Sequence, residues 1–437
     1  MSEDLNRLPA QTKYIVGNEA CERLSFYGVV AILTGYAATL YGGGEQGDIA
    51  AKKLVHDWKS VTYLLPLLGA FIADRFWGRY KTILWISLAY CVGHAVMSAT
   101  EGTKWGLMAG LALLAIGSGG IKPCVSAFVG DQFGPGQEAQ MAKVYGLFYW
   151  CINFGSFFAF SCIPYIREKT NYAVAFLIPG IFMLVATIIF YMGRSRYVMK
   201  PPTSSLPPVD AATKSADMKM LLRIVWIFVP VIVFWSLFDQ QNTTWVQQGK
   251  QMIPVMLGDY SINGETMQSV NPLFVMSIIP LFLFFVYPAL TRAGIAPTPL
   301  RRMGSGMVLA ALAFLISGWL QKRIEGGEQL SILWQLLPYF VMTAGEVLIS
   351  ATGLEFAFSV APARLKSTIM SFWLLTVAVG NQLASLVTSA NSTTDVSGKV
   401  VRRISASDEM FVYVVLMLVV AGIFAAIARK FPEQENR

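Results

Sequence analysis

Charge is scarce in this chain of 437 residues. Asp, Glu, Lys and Arg together make up 14%, apolar residues reach 55%, and the mean hydropathy is +0.53. Soluble domains carry about 25% charged residues, so a water-soluble fold is ruled out. Histidine is scarcer still, with His56 and His94 the only two. No H-E-x-x-H pair and no paired Ser/His constellation is present, which argues against an intramembrane enzyme and leaves no catalytic or metal-ligating set to name. There is no G-x-x-x-x-G-K-[ST] loop. The run Gly117, Gly119, Gly120 before Lys122 lies in an apolar stretch rather than after a strand, so nucleotide-driven pumping is not indicated. The five cysteines (Cys21, Cys91, Cys124, Cys151, Cys162) are irregularly spaced within apolar segments, where free Cys behaves as a small hydrophobe, and suggest neither a disulfide framework nor a zinc site. The first residues lack a basic n-region leading to a cleavage site, so the first span is expected to serve as the insertion signal.

What the chain does contain is apolar blocks of about twenty residues, the length a helix needs to cross a hydrocarbon core about 30 Å thick. Windows predict spans at 14–41, 51–73, 80–100, 104–130, 139–164, 172–192, 220–248, 270–290, 300–321, 331–357, 364–390 and 409–429. Seven-span receptors do not fit this count. Lys and Arg concentrate in the segments that are cytoplasmic when the amino terminus is inside, so both termini read as cytoplasmic. The net charge of +8 is then an orientation signature facing the lipid bilayer rather than a nucleic-acid surface.

A single long polar connection, rich in proline (Pro201, Pro202, Pro207, Pro208), divides the spans six and six. The expected organisation is an amino-terminal six-helix bundle over 1–191, a cytoplasmic linker over 192–219 and a carboxy-terminal six-helix bundle over 220–437. This is the arrangement of carriers whose halves rock about a central site.

Span one places Glu19, Glu22, Arg23 and Tyr27 inside a membrane helix. Ionised groups there cost about 2.5–3.5 kcal/mol each on insertion scales, which marks them as functional. Spacings of three and four residues let them share one wall. The end of span two, Gly69-Ala70-Phe71-Ile72-Ala73-Asp74-Arg75-Phe76-Trp77-Gly78-Arg79-Tyr80-Lys81, combines glycines suited to a tight turn with charges at a helix end. It resembles the loop signature of the major facilitator superfamily, with Gly69, Asp74, Arg75, Gly78 and Arg79 as a gating loop. Thr291-Arg292-Ala293-Gly294 is a degenerate copy.

The run Glu19-Ala20-Cys21-Glu22-Arg23-Leu24-Ser25-Phe26-Tyr27-Gly28 resembles the E-x-x-E-R-F-x-Y-G motif of the proton-coupled oligopeptide transporter family, with Leu24 in place of the usual Phe. The resemblance extends through Gly119-Gly120-Ile121-Lys122-Pro123, Phe148 to Phe157 with Asn153 and Gly155, Phe234-Trp235 to Asp239, Asn271-Pro272 and Gly345-Glu346, and so covers nearly the whole chain. Ala351 stands where the family usually has Pro.

The resemblance implies an all-α membrane protein of the major facilitator fold, acting as a monomeric symporter of di- and tripeptides with protons as co-substrate and no other cofactor. It assigns peptide contacts to Arg23, Tyr27, Tyr63, Lys122, Asn153, Asn271, Glu346 and Trp373, and proton coupling to Glu19, Glu22, Arg23, Lys122, His56 and Asp239. His56 stands seven residues before Tyr63, as in the animal-type members, with Asp239 its implied partner; His94 has no such match and reads as structural.

Physically, a short peptide is a zwitterion that needs cations at one end, here Arg23 and Lys122, and a carboxylate at the other, here Glu346. It is expected to engage both bundles. A residue spans at most about 3.6 Å, so clamping both ends limits length to two or three residues. Otherwise Lys122 and Glu346 are a buried pair that locks helices together. The rival function is a related carrier of nitrate or another small solute, which would not need Glu346. Compact external loops point to a bacterial inner membrane.

Overall fold

The structure is a computed structural model and describes residues 8–134, 136–202, 210–360 and 366–429. The apolar blocks form helices α1 (Thr12–Leu40), α2 (Gly44–Ile72), α3 (Arg79–Ala99), α4 (Lys104–Asp131), α5 (Glu138–Lys169), α6 (Tyr172–Met192) and α7 (Ala211–Phe238). They continue with a short α8 (Thr244–Gly249), α9 (Val270–Leu281), α10 (Tyr287–Arg292), α11 (Pro299–Glu325), α12 (Leu336–Val360), α13 (Lys366–Ala390) and α14 (Ala406–Ala428). Side chains cap several starts: Thr103, Asn171, Asp210 and Ser405 accept from the backbone N–H of Gly106, Val174, Thr213 and Asp408. The only strands among the described residues are three residues long. β1 (Val255–Leu257) pairs with β2 (Tyr260–Ile262), and β3 (Ser392–Thr394) with β4 (Val400–Arg402), each in an antiparallel hairpin.

Among the described residues, eleven helical segments are long and apolar enough to cross a membrane. The 29-residue α2 is not among them, because Lys52, Lys53, His56, Asp57 and Lys59 crowd its first half. Two boundaries differ from expectation. α2 begins at Gly44 rather than 51, its polar first turns having hidden it from a hydropathy window. α7 begins at Ala211 rather than 220, so the last third of the expected linker is helix capped by Asp210.

The chain forms two compact units, residues 1–36 with 61–207 and residues 37–60 with 208–437. The division therefore differs from a cut in the linker alone: packing groups the end of α1 and the first half of α2 with the second unit. In the first unit α3 packs on α4 and α6, and α5 on α6; in the second, α11 packs on α12 and α14, and α7 on α13 and α14.

The two membrane helices that end in the glycine loops share a local design. A π-helical segment, Ala73–Trp77, follows α2 and leads to Gly78 at φ 74°. Another, Phe282–Val286, follows Pro280 and leads through α10 to Gly294 at φ 75°. Positive φ is what glycine permits and other residues resist. The degenerate second copy thus shares a π-helical segment and a positive-φ glycine with the first, although α10 separates the two features and the aspartate is lacking.

Candidate binding and coupling site

In the first unit α1 presents its charges on one buried face. Arg23 Nε lies 3.0 Å from Glu19 Oε1, and Arg23 Nη2 pairs with Glu22. All three side chains are buried. The i,i+4 spacing of Glu19 and Arg23 makes the first contact a property of the helix itself. α5 comes close here because of Gly155, where an added Cβ would stand 3.0 Å from the Ala20 carbonyl and 3.3 Å from Arg23 Cβ.

Lys122 on α4 reaches the same place through an aromatic ring. Its Nζ lies 4.0 Å from the centroid of Phe26 and 4.4 Å from that of Tyr63, while Arg23 Cζ lies 6.0 Å from the Phe26 centroid. A cation over a ring face is held by the ring quadrupole. Phe26 therefore gathers both cations, a role that the sequence reading gave to no residue. Glycines on both helices let α4 and the second half of α2 approach: a Cβ at Gly119 of α4 would lie 2.6 Å from Leu65 Cβ, and one at Gly69 of α2 would lie 2.3 Å from the Gly120 carbonyl. Gly69 is thus a helix-contact residue near the end of α2, nine residues before the turn at Gly78.

Tyr27 packs edge-on against Phe26 and tilted on Phe160. Asn153 is buried and donates to the Tyr149 carbonyl one turn back, at 2.9 Å. His94 bonds Ser25 Oγ at 2.8 Å and the Phe176 carbonyl at 3.3 Å, so it ties α3 to α1 and α6. At the loop, Arg79 pairs with Asp131 at the end of α4 and lies 3.6 Å from Asp74. Lys200 reaches the same Asp131 at 2.9 Å. Arg75 is exposed in the π-helical segment.

In the second unit, Asn271 Nδ2 donates to Glu346 Oε2 at 2.8 Å and to Thr343 Oγ1 at 3.0 Å. α12 runs from Leu336 to Val360 without interruption through the position where the family usually has Pro. Trp373 is buried edge-on to Phe228 and Trp235, in space left by Gly353, whose added Cβ would lie 2.3 Å from the indole. Its indole is held mainly by packing.

The expected His56–Asp239 pair is indirect. His56 Nδ1 lies 2.9 Å from Asn381 Oδ1, and Asn381 Nδ2 donates to Asp239 Oδ2 at 2.6 Å. A carboxylate only accepts, so the Asn381 amide must turn its NH2 to Asp239 and its oxygen to His56. Nδ1 then carries the proton, and in the neutral ring Nε2 accepts from Thr243 Oγ1 at 3.0 Å. The direct ionic partner of Asp239 is Lys59, at 2.6 Å.

A further buried ion pair joins Lys52 to Glu409 on α14, and Asn391 donates to the same carboxylate at 2.8 Å. Lys52, His56 and Lys59 follow the i, i+4, i+7 spacing of one helical face, and that spacing is the signal that could have found them. Lys53 and Asp57, on the other face, pair with each other at 2.8 Å; Lys53 is exposed and Asp57 half-buried.

A family model described as PTR2, POT family, matches residues 80–213 and 208–404. Peptide transporter family 1 of Drosophila melanogaster is 37% identical over 362 residues, which cover 72% of this chain and 48% of that relative. Solute carrier family 15 member 1 of Homo sapiens is 33% identical over 375 residues, covering 72% of this chain and 52% of that relative. The chain spans about half the length of these relatives. An in meso crystal structure of the POT family transporter PepTSo is 36% identical and covers 99% of this chain and 100% of its own, with a TM-score of 0.89. A crystal structure of an auto-inhibited POT family peptide transporter is 35% identical, covers 98% of each chain and also has a TM-score of 0.89. The fold is accordingly the all-α major facilitator architecture of a multi-pass membrane protein, with about twelve spans in two six-helix bundles.

Proposed function

We propose that this chain, a member of the POT family, is a symporter that imports di- and tripeptides by alternating access, driven by the proton electrochemical gradient. The observation that carries this reading is the buried cluster of the first unit, where Glu19 and Glu22 hold Arg23 while Lys122 shares the Phe26 ring with it. With every group ionised, the two carboxylates and two cations of this cluster sum to no net charge. A peptide carboxylate arriving at Arg23 or Lys122 competes with a glutamate for its cation and leaves one excess negative charge in a buried place. Protonation of Glu22 or Glu19 removes that excess, because an uncompensated charge is costly in a buried place. Peptide entry and proton entry are coupled in this way.

The second unit supplies Glu346, oriented by Asn271, for the peptide ammonium. The Tyr27, Tyr63 and Trp373 rings offer flat apolar faces with a polar handle, suited to varied side chains. The chain acts as a transporter rather than an enzyme, as a monomer, with both termini in the cytoplasm of a bacterial cell and its helices in the inner membrane.

A proton crossing about 100 mV yields roughly 2.3 kcal/mol, and one pH unit adds about 1.4 kcal/mol. Together these can concentrate a neutral peptide on the order of several hundredfold. Uptake of labelled dialanine into proteoliposomes tests the proposal. Accumulation above the external concentration is expected with an inward proton gradient, and only equilibration without one. Equal uptake under both conditions contradicts proton coupling. Carriage of nitrate with no competition by dialanine favours the rival small-solute carrier.

A further inference from the structure

We propose that the second unit binds one anionic phospholipid in the groove between α11 and α14. The groove has a volume of about 1100 Å³, and its walls include Gly304 and Val308 on α11 and Gly422 and Ala425 on α14. Both helices are long and apolar enough to cross a membrane, and Val308 and Leu418 stand exposed along the groove. In a bilayer this surface meets acyl chains, and its small residues leave room for one. A Cβ added at Gly422 would meet nothing within 4 Å.

What distinguishes the groove from ordinary lipid-facing surface is its end. Arg301, in the first turn of α11, and Arg429, capping the last turn of α14, both line it. The helices run antiparallel as neighbours, so both guanidinium groups lie at one membrane boundary. Arg301 donates to the Ala296 carbonyl at 3.2 Å, and neither arginine forms an ion pair with a carboxylate among the described residues. The adjacent Arg302 differs, since it lies 3.2 Å from Glu355. The positive end of the α11 dipole adds to the same field. An apolar slot closed at the headgroup level by two arginines is complementary to a lipid carrying a net negative phosphate, and basic pockets between membrane helices recognise such headgroups.

Native mass spectrometry of the full-length protein, titrated with phosphatidylglycerol and separately with phosphatidylcholine, provides the test. The wild type is expected to retain one phosphatidylglycerol in preference to phosphatidylcholine. Arg301→Gln combined with Arg429→Gln is expected to weaken phosphatidylglycerol binding about thirtyfold, at the strength of two basic residues near a membrane surface. Phosphatidylcholine binding should not change. Gly422→Leu projects a side chain into the slot from a Cβ that meets nothing within 4 Å and should reduce binding of both lipids, whereas Arg302→Gln should alter neither. Equal wild-type affinity for the two lipids, wild-type binding by the double arginine variant, or an equal loss in Arg302→Gln would each overturn the proposal.

Discussion

Replacing Glu346 by glutamine separates a charge from a shape. Glu346 Oε2 accepts from Asn271 Nδ2 at 2.8 Å, and the same amide reaches Thr343 Oγ1 at 3.0 Å. A glutamine oxygen accepts the same hydrogen bond, so the local packing of α9 on α12 persists and the melting temperature should hardly move. The lost interaction is with the peptide ammonium. A hydrogen bond to an ionised group contributes about 1.5–3 kcal/mol, against about 0.5–1.5 kcal/mol for a neutral one. The difference, about 1.3 kcal/mol, is roughly tenfold in affinity. Inhibition of labelled uptake by unlabelled dialanine should therefore weaken about tenfold in Glu346→Gln. N-acetyl dialanine, which has no ammonium, should compete equally well against both proteins. If the two competitors weaken in parallel, Glu346 acts through packing and the assignment of the ammonium end is wrong.

Three other perturbations probe the surrounding structure. Lys52→Met leaves Glu409 buried without its cation, and should destabilise the protein by about 3–5 kcal/mol; a thermal melt should show the loss, and Lys52→Met with Glu409→Gln should recover most of it. Gly155→Leu forces α5 away from the Ala20 carbonyl and Arg23, and should abolish uptake while Gly155→Ala retains part of it, with folding checked by size-exclusion chromatography. His56→Gln can still bond Asn381 and Thr243 but carries no ionisable ring, so the dependence of uptake on external pH should change while the melting temperature stays near that of the wild type. An unchanged profile would retire His56 as a proton site.

Much of this molecule is legible in its sequence because a bilayer imposes a simple rule: about twenty apolar residues make a span. That rule fails at the start of α2, whose polar first turns lie outside the expected span, and it does not reveal that Lys52, His56 and Lys59 are buried against protein rather than lipid. It also fails at Ala211, where a capped polar helix follows prolines that read as linker. The Glu19–Arg23 pair was readable because both ends lie on one helix, four residues apart. The Lys59–Asp239 pair and the Asn381 bridge were not, since they join α2, α7 and α13, and no local spacing records which distant helices meet. Phe26 escaped notice for a different reason: an aromatic residue on a membrane helix looks like packing until the cations over its face are located.

The central claim is that a peptide carboxylate takes a cation from a glutamate of α1, which then takes up a proton. Proteoliposomes loaded with a pH-sensitive dye, with no gradient imposed, read this step directly. Adding dialanine outside should acidify the lumen with the wild-type protein, whereas Glu22→Gln should exchange labelled dialanine for dialanine preloaded in the lumen with no acidification. Wild-type dialanine entry without proton entry, or undiminished acidification by Glu22→Gln, would contradict the account.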